Sequence, residues 1–213
     1  LELGFGRGEV ILRCAKLCKA VVGLDYSEAA VEIARELLSD CENAEALKGD
    51  CRRLSYEADS FDRVYAGDII EHMNYQDGVR LLKEAYRVLK PGGFLLIHTS
   101  PNSWFSNFTY QILRPIIWVL KPQLAKSLSE HYEVAAAVHL HEYSYFTLMK
   151  AAKEAELDGI EVWIDPDILR SGHDTYTKDL GMIGKLATVF QKLQLFQLFF
   201  GNDLYLKATK PEV

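Results

Sequence analysis

The chain opens with Leu1-Glu2-Leu3-Gly4-Phe5-Gly6-Arg7-Gly8-Glu9, an apolar run that passes into three glycines at alternate positions. This pattern predicts the end of a β-strand, then a tight turn, then a helix that begins at Glu9. Glycine lets the backbone approach a ligand closely, and the free N–H groups at a helix start carry a partial positive charge. The stretch therefore predicts an α/β fold with a ligand at the first strand-to-helix turn.

Short apolar runs and helical patterns alternate along most of the remaining chain. The predicted strands are 20–24, 44–48, 61–66, 94–99, 159–164 and 203–209, and the predicted helices are 9–19, 28–38, 78–89, 143–156 and 180–200. Such an alternation is typical of a doubly wound, mostly parallel sheet with helices on both faces. The length and this rhythm favour a single domain over residues 1–213.

Three aspartates, Asp25, Asp50 and Asp68, follow three successive predicted strands. The carboxyl ends of parallel strands meet at one edge of the sheet, where open α/β sheets bind ligands. Asp25 can accept hydrogen bonds from both hydroxyls of a ribose, and Asp50 can accept one from an exocyclic amine such as that of adenine. The alternative is that these aspartates only end strands and cap turns.

A dinucleotide ligand is disfavoured by Glu9. The dinucleotide fingerprint needs a small residue at that position, where Glu9 would crowd and repel a pyrophosphate. A ligand that presents a zwitterionic amino acid has less need of that helix end.

Composition excludes several classes of protein. Hydrophobic residues are 49% and charged residues 25% of the 213, which excludes disorder and coiled coil. The net charge of −6 makes nucleic acid a poor partner. The four cysteines form no CxxC pair, and no histidine cluster has zinc spacing, so we expect no metal and reduced thiols in the cytoplasm. Glu71, His72 and His141 as ligands of a divalent ion are the alternative.

Residues 102–142 interrupt the alternation and are expected to form an inserted helical cap or lid. Within them, residues 102–127 contain Arg114, Lys121 and Lys126 and no acid, a local charge of +3. This segment and residues 180–200 are apolar, but neither is long enough in apolar sequence to cross a bilayer. Three interpretations stay open: lid helices packed on the core, an apolar acceptor pocket, or peripheral contact with a membrane surface.

Together, the motifs of the first 101 residues resemble the class I S-adenosylmethionine-dependent methyltransferases, in particular the small-molecule branch that includes ubiquinone and menaquinone biosynthesis enzymes. They are Glu2-x-Gly4-x-Gly6-x-Gly8, Val22-Gly23-Leu24-Asp25-Tyr26-Ser27, Gly49-Asp50, Ser60-Phe61-Asp62-Arg63-Val64, Asp68 with Glu71-His72, and Arg87-Val88-Leu89-Lys90-Pro91-Gly92-Gly93. The resemblance implies a Rossmann-like seven-stranded sheet of order 3-2-1-4-5-7-6, with only strand 7 antiparallel. It also implies a helical stretch and a fuller first strand before Glu2, which this sequence does not contain.

The resemblance also implies roles for individual residues. The glycine loop, with Glu2, Gly4, Phe5, Gly6 and Gly8, would hold the methionine part of S-adenosylmethionine. Asp25 would hold the ribose, Tyr26 would lie against the adenine, Asp50 with the Cys51 backbone would read the adenine edge, and Asp68 would complete the cofactor site.

The implied reaction is in-line methyl transfer to a small, apolar or aromatic acceptor, with His72 and His141 as candidate bases. His131 and His139 are further candidates. The competing functions are a nucleotide-cofactor oxidoreductase and a homologue that binds the cofactor without catalysis.

Overall fold

Seven strands form one sheet in the computed structural model, which describes residues 1–165 and 194–212. The strands are β1 (Glu2–Leu3), β2 (Val21–Asp25), β3 (Ala44–Lys48), β4 (Phe61–Gly67), β5 (Leu89–Thr99), β6 (Glu161–Ile164) and β7 (Leu204–Thr209). Their order is β3-β2-β1-β4-β5-β7-β6, and β7 runs antiparallel to both β5 and β6. The predicted order and the single antiparallel strand are confirmed.

Within residues 1–165 and 194–212, the helices follow the predicted positions but differ at their ends. They are α1 (Glu9–Ala15), α2 (Glu28–Leu37), α3 (Tyr75–Arg87), α4 (Tyr110–Leu120), α5 (Pro122–Val138), α6 (Tyr145–Glu154) and α7 (Gln194–Phe200). Helix α3 begins three residues before the predicted Gly78, because the Asn74 side chain accepts a hydrogen bond from the Asp77 amide and caps it. The prediction missed this cap.

Helix α1 ends at Ala15 and not at the predicted Lys19. The Asn43 side chain donates to the carbonyl of Ala15, the last helical residue, at 2.8 Å, and to that of Cys18 at 3.0 Å. Both carbonyls lack a partner within the helix, and Asn43 supplies one. Asn43 lies more than twenty residues downstream, and its contact with this helix end exists only in the folded chain.

Two clusters of buried apolar side chains cover the two faces of the sheet. Val21 of β2 belongs to one cluster, with Ile11 and Val31 of the first two helices. Leu24 of the same strand belongs to the other, which includes Leu81 of α3. Side chains alternate along a strand, so residues three apart point to opposite faces and each face has its own core.

Strand register brings the expected ligand-binding edge together. Leu3 lies level with Leu24 of β2 and with Ala66 of β4, and Leu24 lies level with Leu47 of β3. The residues that follow, including Gly4, Asp25 and Gly67, therefore lie at one edge of the sheet.

The region predicted as a cap contains a π-helical turn (Phe105–Thr109) followed by α4 and α5, which pack on each other. Of the helix predicted at 180–200, residues 180–193 lie outside the described residues, and the described part is α7. Among the residues with a described structure, none forms a helix that is long and apolar enough to cross a membrane.

Candidate functional site

A cavity of about 1030 Å³ opens at the carboxyl edge of the first four strands. Its size is at the upper end of the range for small-molecule sites, which suits a nucleoside cofactor together with an acceptor. Its lining includes Gly4, Gly6, Asp25, Tyr26, Asp50, Cys51, Asp68 and His72 among the residues expected from the sequence. The same edge therefore gathers residues from four separate loops.

Asp25 joins the first two loops of this edge. Its Oδ2 accepts a hydrogen bond from the Gly6 amide at 3.0 Å, and its Oδ1 accepts one from the Ser27 amide at 2.9 Å. The residue is only 8% exposed. A carboxylate offers about four acceptor positions, so capacity remains on both oxygens for two ligand hydroxyls.

The glycine loop has backbone angles that other residues rarely adopt. Gly4, Gly6 and Gly8 have φ of 70°, 54° and 81°. A Cβ on Gly4 would collide with the Ile69 side chain, whereas a Cβ on Gly6 would meet no atom within 4 Å. The open space is therefore above Gly6, where a ligand can approach the backbone.

Glu2, Phe5 and Gly8 were expected to contact the cofactor, but they lie outside the lining of the cavity. Phe5 is buried in a hydrophobic cluster, and Gly8 precedes α1 against Ala34. Burial raises the pKa of Glu2 to about 7. These three residues lie on the core side of the glycine loop and support it there.

Asp50 is held by an arginine that the sequence analysis did not single out. The Arg52 side chain donates to both oxygens of Asp50, at 2.9 and 2.8 Å, and also to Asp77 at 3.1 Å. These hydrogen bonds hold the pKa of Asp50 below its usual range. Arg52 also lines the cavity, so any contact from Asp50 to a base edge is made by a carboxylate that is already oriented.

Asp68 is engaged by His98 of β5. The His98 Nδ1 lies 3.1 Å from Asp68 Oδ1, and its Nε2 lies 3.1 Å from Asp203 Oδ1. Burial of the ring lowers the pKa of His98, but the hydrogen bonds and charges of Asp203 and Asp68 outweigh it and raise that pKa to about 10. The ring is therefore an imidazolium that ties the edge of the cavity to the start of β7.

His72 lies at the cavity wall and is the last residue of a 3-10 turn (Ile70–His72). Its Nδ1 is 3.2 Å from the carbonyl oxygen of Val138, the last residue of α5. A carbonyl can only accept, so Nδ1 donates in this contact, and in the neutral ring the lone pair is on Nε2. The His139 ring lies edge-on to His72 at 5.0 Å.

Glu71, next to His72, points into the core. Its Oε2 accepts a hydrogen bond from the Thr99 hydroxyl at 2.8 Å, and its backbone carbonyl accepts from the amides of Leu140 and His141. Burial raises the pKa of Glu71 to about 7. Glu71 therefore anchors the return of the cap segment to the sheet.

One grouping has the composition of a metal site. One ligand atom each from Glu71, His72 and His139 lies within 4.8 Å of the others, so His139 takes the place that the sequence gave to His141. The Glu71 carboxyl is shared with Thr99 and is half protonated near pH 7, which weakens it as a ligand.

His141 was expected as a second base, but its position does not support that role. Its ring packs edge-on against Tyr75 at 5.3 Å and Tyr143 at 4.7 Å, and it is not among the residues that line the cavity. Burial lowers the pKa of His141. The side chain of His131 lies outside the described residues.

Several lining residues were missed by sequence reasoning. Ile69 and Met73 flank the recognised Asp68 and His72, so proximity in sequence was an available signal. Val138 comes from the far end of the cap and carries no signal of its own.

The family comparison covers the first part of the chain. Residues 1–97 match the family described as a methyltransferase domain. These residues contain every strand-end motif described above.

Two curated relatives extend this match. The demethylmenaquinone methyltransferase of Listeria welshimeri is 38% identical over 117 residues, which are 52% of this chain and 48% of the relative. That of Staphylococcus aureus is 40% identical over 99 residues, which are 45% of this chain and 40% of the relative. The chain thus covers less than half the length of these relatives.

Solved structures share the fold. Phosphoethanolamine N-methyltransferase 2 of Haemonchus contortus, solved with phosphomonomethylethanolamine and S-adenosylhomocysteine, has a TM-score of 0.64 at 20% identity, over 99% of this chain and 48% of that one. The [4+2]-cyclase SpnF has a TM-score of 0.61 at 17% identity, over 100% of this chain and 75% of that one. At such identities the likeness shows the fold alone.

Proposed function

Because residues 1–97 match the family described as a methyltransferase domain, we propose that this chain transfers the methyl group of S-adenosylmethionine to a small apolar or aromatic acceptor. The observation that carries the proposal is the cavity edge, where the open backbone of Gly6 and the buried carboxylate of Asp25 face the same space. The reaction class also follows from the names of the curated relatives.

The residues present fit this cofactor. The glycine loop leaves room above Gly6 for the methionine part, and Asp25 keeps acceptor capacity for two ribose hydroxyls. Tyr26, which is 81% exposed at the cavity, is positioned to cover the adenine. Asp50 and the Cys51 backbone are assigned to the adenine edge, and Asp68 to the rim. Glu2, Phe5 and Gly8 are assigned to support of the loop.

The cofactor supplies an activated methyl group, so the protein has to orient the acceptor and remove one proton. We assign the proton to Nε2 of His72, because the Val138 carbonyl occupies Nδ1. Ile69, Met73 and Val138 line the cavity and give an apolar surface for the acceptor.

The acceptor is proposed to be a quinone-type molecule. The two curated relatives are named for demethylmenaquinone, and aliphatic side chains from the loop after β4 and from the end of the cap meet at the cavity. We propose that residues 102–142 are the lid over this acceptor, since Val138 reaches the cavity from them. The free thiols of all four cysteines support a cytoplasmic location.

The first experiment is isothermal titration calorimetry with S-adenosylhomocysteine and with NAD. We expect binding of S-adenosylhomocysteine, and at least tenfold weaker binding by Asp25→Ala, since each hydrogen bond to a charged acceptor is worth about 1.5–3 kcal/mol. Asp40→Ala, an exposed aspartate outside the cavity lining, is the matched control. Unchanged affinity in Asp25→Ala, or binding of NAD alone, would overturn the assignment.

The second experiment detects S-adenosylhomocysteine formed with a panel of phenols and quinols. His72→Gln should lower kcat, while the affinity for S-adenosylhomocysteine stays unchanged. A chain that binds the cofactor and forms no product with any acceptor would favour a non-catalytic homologue.

A further inference from the structure

One side of α4 presents a continuous apolar stripe to solvent. Its members recur at the spacing of one helix face and are between 51% and 81% exposed: Ile112, Ile116, Val119 and Leu120. Phe108, in the preceding helical turn, is 56% exposed. An apolar helix face normally packs against a core, and a contiguous exposed one marks an interaction surface.

Two lysines lie near the C-terminal end of this stripe. Lys121 follows the last residue of α4, and Lys126, whose Nζ lies 3.9 Å from Glu130, is in the first turns of α5. Arg114 lies on the opposite side of α4. The sequence contains no acid from Asn102 to Ser129. The whole chain has a net charge of −6, so this positive region stands out from an acidic remainder.

We propose that α4 docks on the surface of a bilayer that contains anionic lipids, with the apolar stripe turned into the lipid. Apolar side chains on one face and basic side chains beside it are the pattern of helices that lie in a membrane interface. The eleven residues of α4 span only about 16 Å, so the helix lies on the bilayer and does not cross it. Lys121 and Lys126, near the end of the stripe, then lie close to the phosphate groups.

Charge distinguishes a bilayer from a second copy of this chain. Two copies that met through α4 would bring two positive regions together, which opposes association. An anionic lipid surface attracts the same region and repels the acidic remainder, which orients the molecule with α4 toward the bilayer.

The docking surface is separate from the cofactor residues. Helix α5 begins at Pro122, close to Leu120 at the end of the stripe, and ends at Val138 at the cavity, so about 24 Å of helix separates Leu120 from the cavity. None of the stripe residues lines the cavity. The inference therefore holds whichever acceptor the cavity takes, and its test needs no activity.

The test is flotation of the full chain with vesicles of phosphatidylcholine, with and without phosphatidylglycerol. We expect flotation with the anionic vesicles that falls as salt rises. Ile116→Glu should abolish it, and Lys121→Glu should weaken it by about fivefold or more, since each basic residue near such a surface is worth about that factor. Leu17→Glu, at another exposed leucine, and Lys16→Glu are the matched controls and should float like the parent chain.

Circular dichroism is used to verify folding, and Ile112→Glu provides a second charge in the stripe if Ile116→Glu unfolds. Absence of flotation with anionic vesicles overturns the proposal, as does flotation that these variants leave unchanged. A dimer in sedimentation that Ile116→Glu converts to monomer, without vesicle binding, also overturns it and assigns the stripe to a second copy.

Discussion

Replacing His98 by glutamine tests how the cavity edge is held together. The imidazolium lies between Asp68 and Asp203, at 3.1 Å from each carboxylate, and its side chain is 15% exposed. Removing one partner of a buried charged group costs about 3–5 kcal/mol, and the 58% exposure of Asp68 reduces this. We therefore expect His98→Gln to lower the free energy of unfolding by about 2–3 kcal/mol at pH 7.

The pH dependence of this loss has a definite sign. The pKa of His98 is raised from 6.5 to about 10 in the folded chain, so the folded state holds one more proton than the unfolded state between those values. The stabilisation is complete below pH 6.5 and is lost as the pH rises toward 10. The free energy of unfolding should fall by about 1.4 kcal/mol per pH unit in this window, because of His98 alone.

The assay is urea unfolding at several pH values between about 7 and 9, with the difference between parent and variant plotted against pH. The difference should shrink as the pH rises. His141→Gln is the matched control, because burial lowers the pKa of His141 and it stays neutral across this window. Parallel curves for the parent and His98→Gln would refute the charged bridge.

Two further perturbations test the neighbouring residues. Gly4→Ala should lower the free energy of unfolding by about 2–4 kcal/mol, because a Cβ there combines a left-handed backbone with a collision against Ile69. Gly6→Ala should lower it by only about 1 kcal/mol in thermal unfolding, since its Cβ meets no atom within 4 Å. That variant should instead weaken S-adenosylhomocysteine binding in calorimetry. The raised pKa of Glu71, from 4.5 to about 7, lowers the free energy of unfolding as the pH rises through this window. Glu71→Gln should therefore flatten that fall between about pH 5 and 7, while Thr99 can still donate to the amide oxygen. An unchanged slope in urea unfolding would contradict this.

The sheet and its ligand edge could be predicted because their signals are local. Alternating apolar runs, the glycines at positions 4, 6 and 8, and aspartates after strands all act within a few residues of themselves, and parallel strands then align their ends. The resemblance to the methyltransferases added the strand order, which no local pattern contains. Asp25 and the glycine loop lie at the same edge of the sheet, as expected, because Asp25 ends β2 and the loop directly follows β1.

The tertiary structure decided the contacts that join distant segments. His98 became charged only because Asp68 and Asp203, which are more than a hundred residues apart in sequence, close on one ring. His72 gained its orientation from a carbonyl at the end of α5, while His141, two residues after His139, turned into the core against Tyr75. The sequence determines which chemical groups are available at each strand end, because the local spacing of apolar and polar residues predicts where strands and helices end. Which of those groups are paired, buried or left facing the cavity depends on packing between segments, and packing exists only in the folded chain.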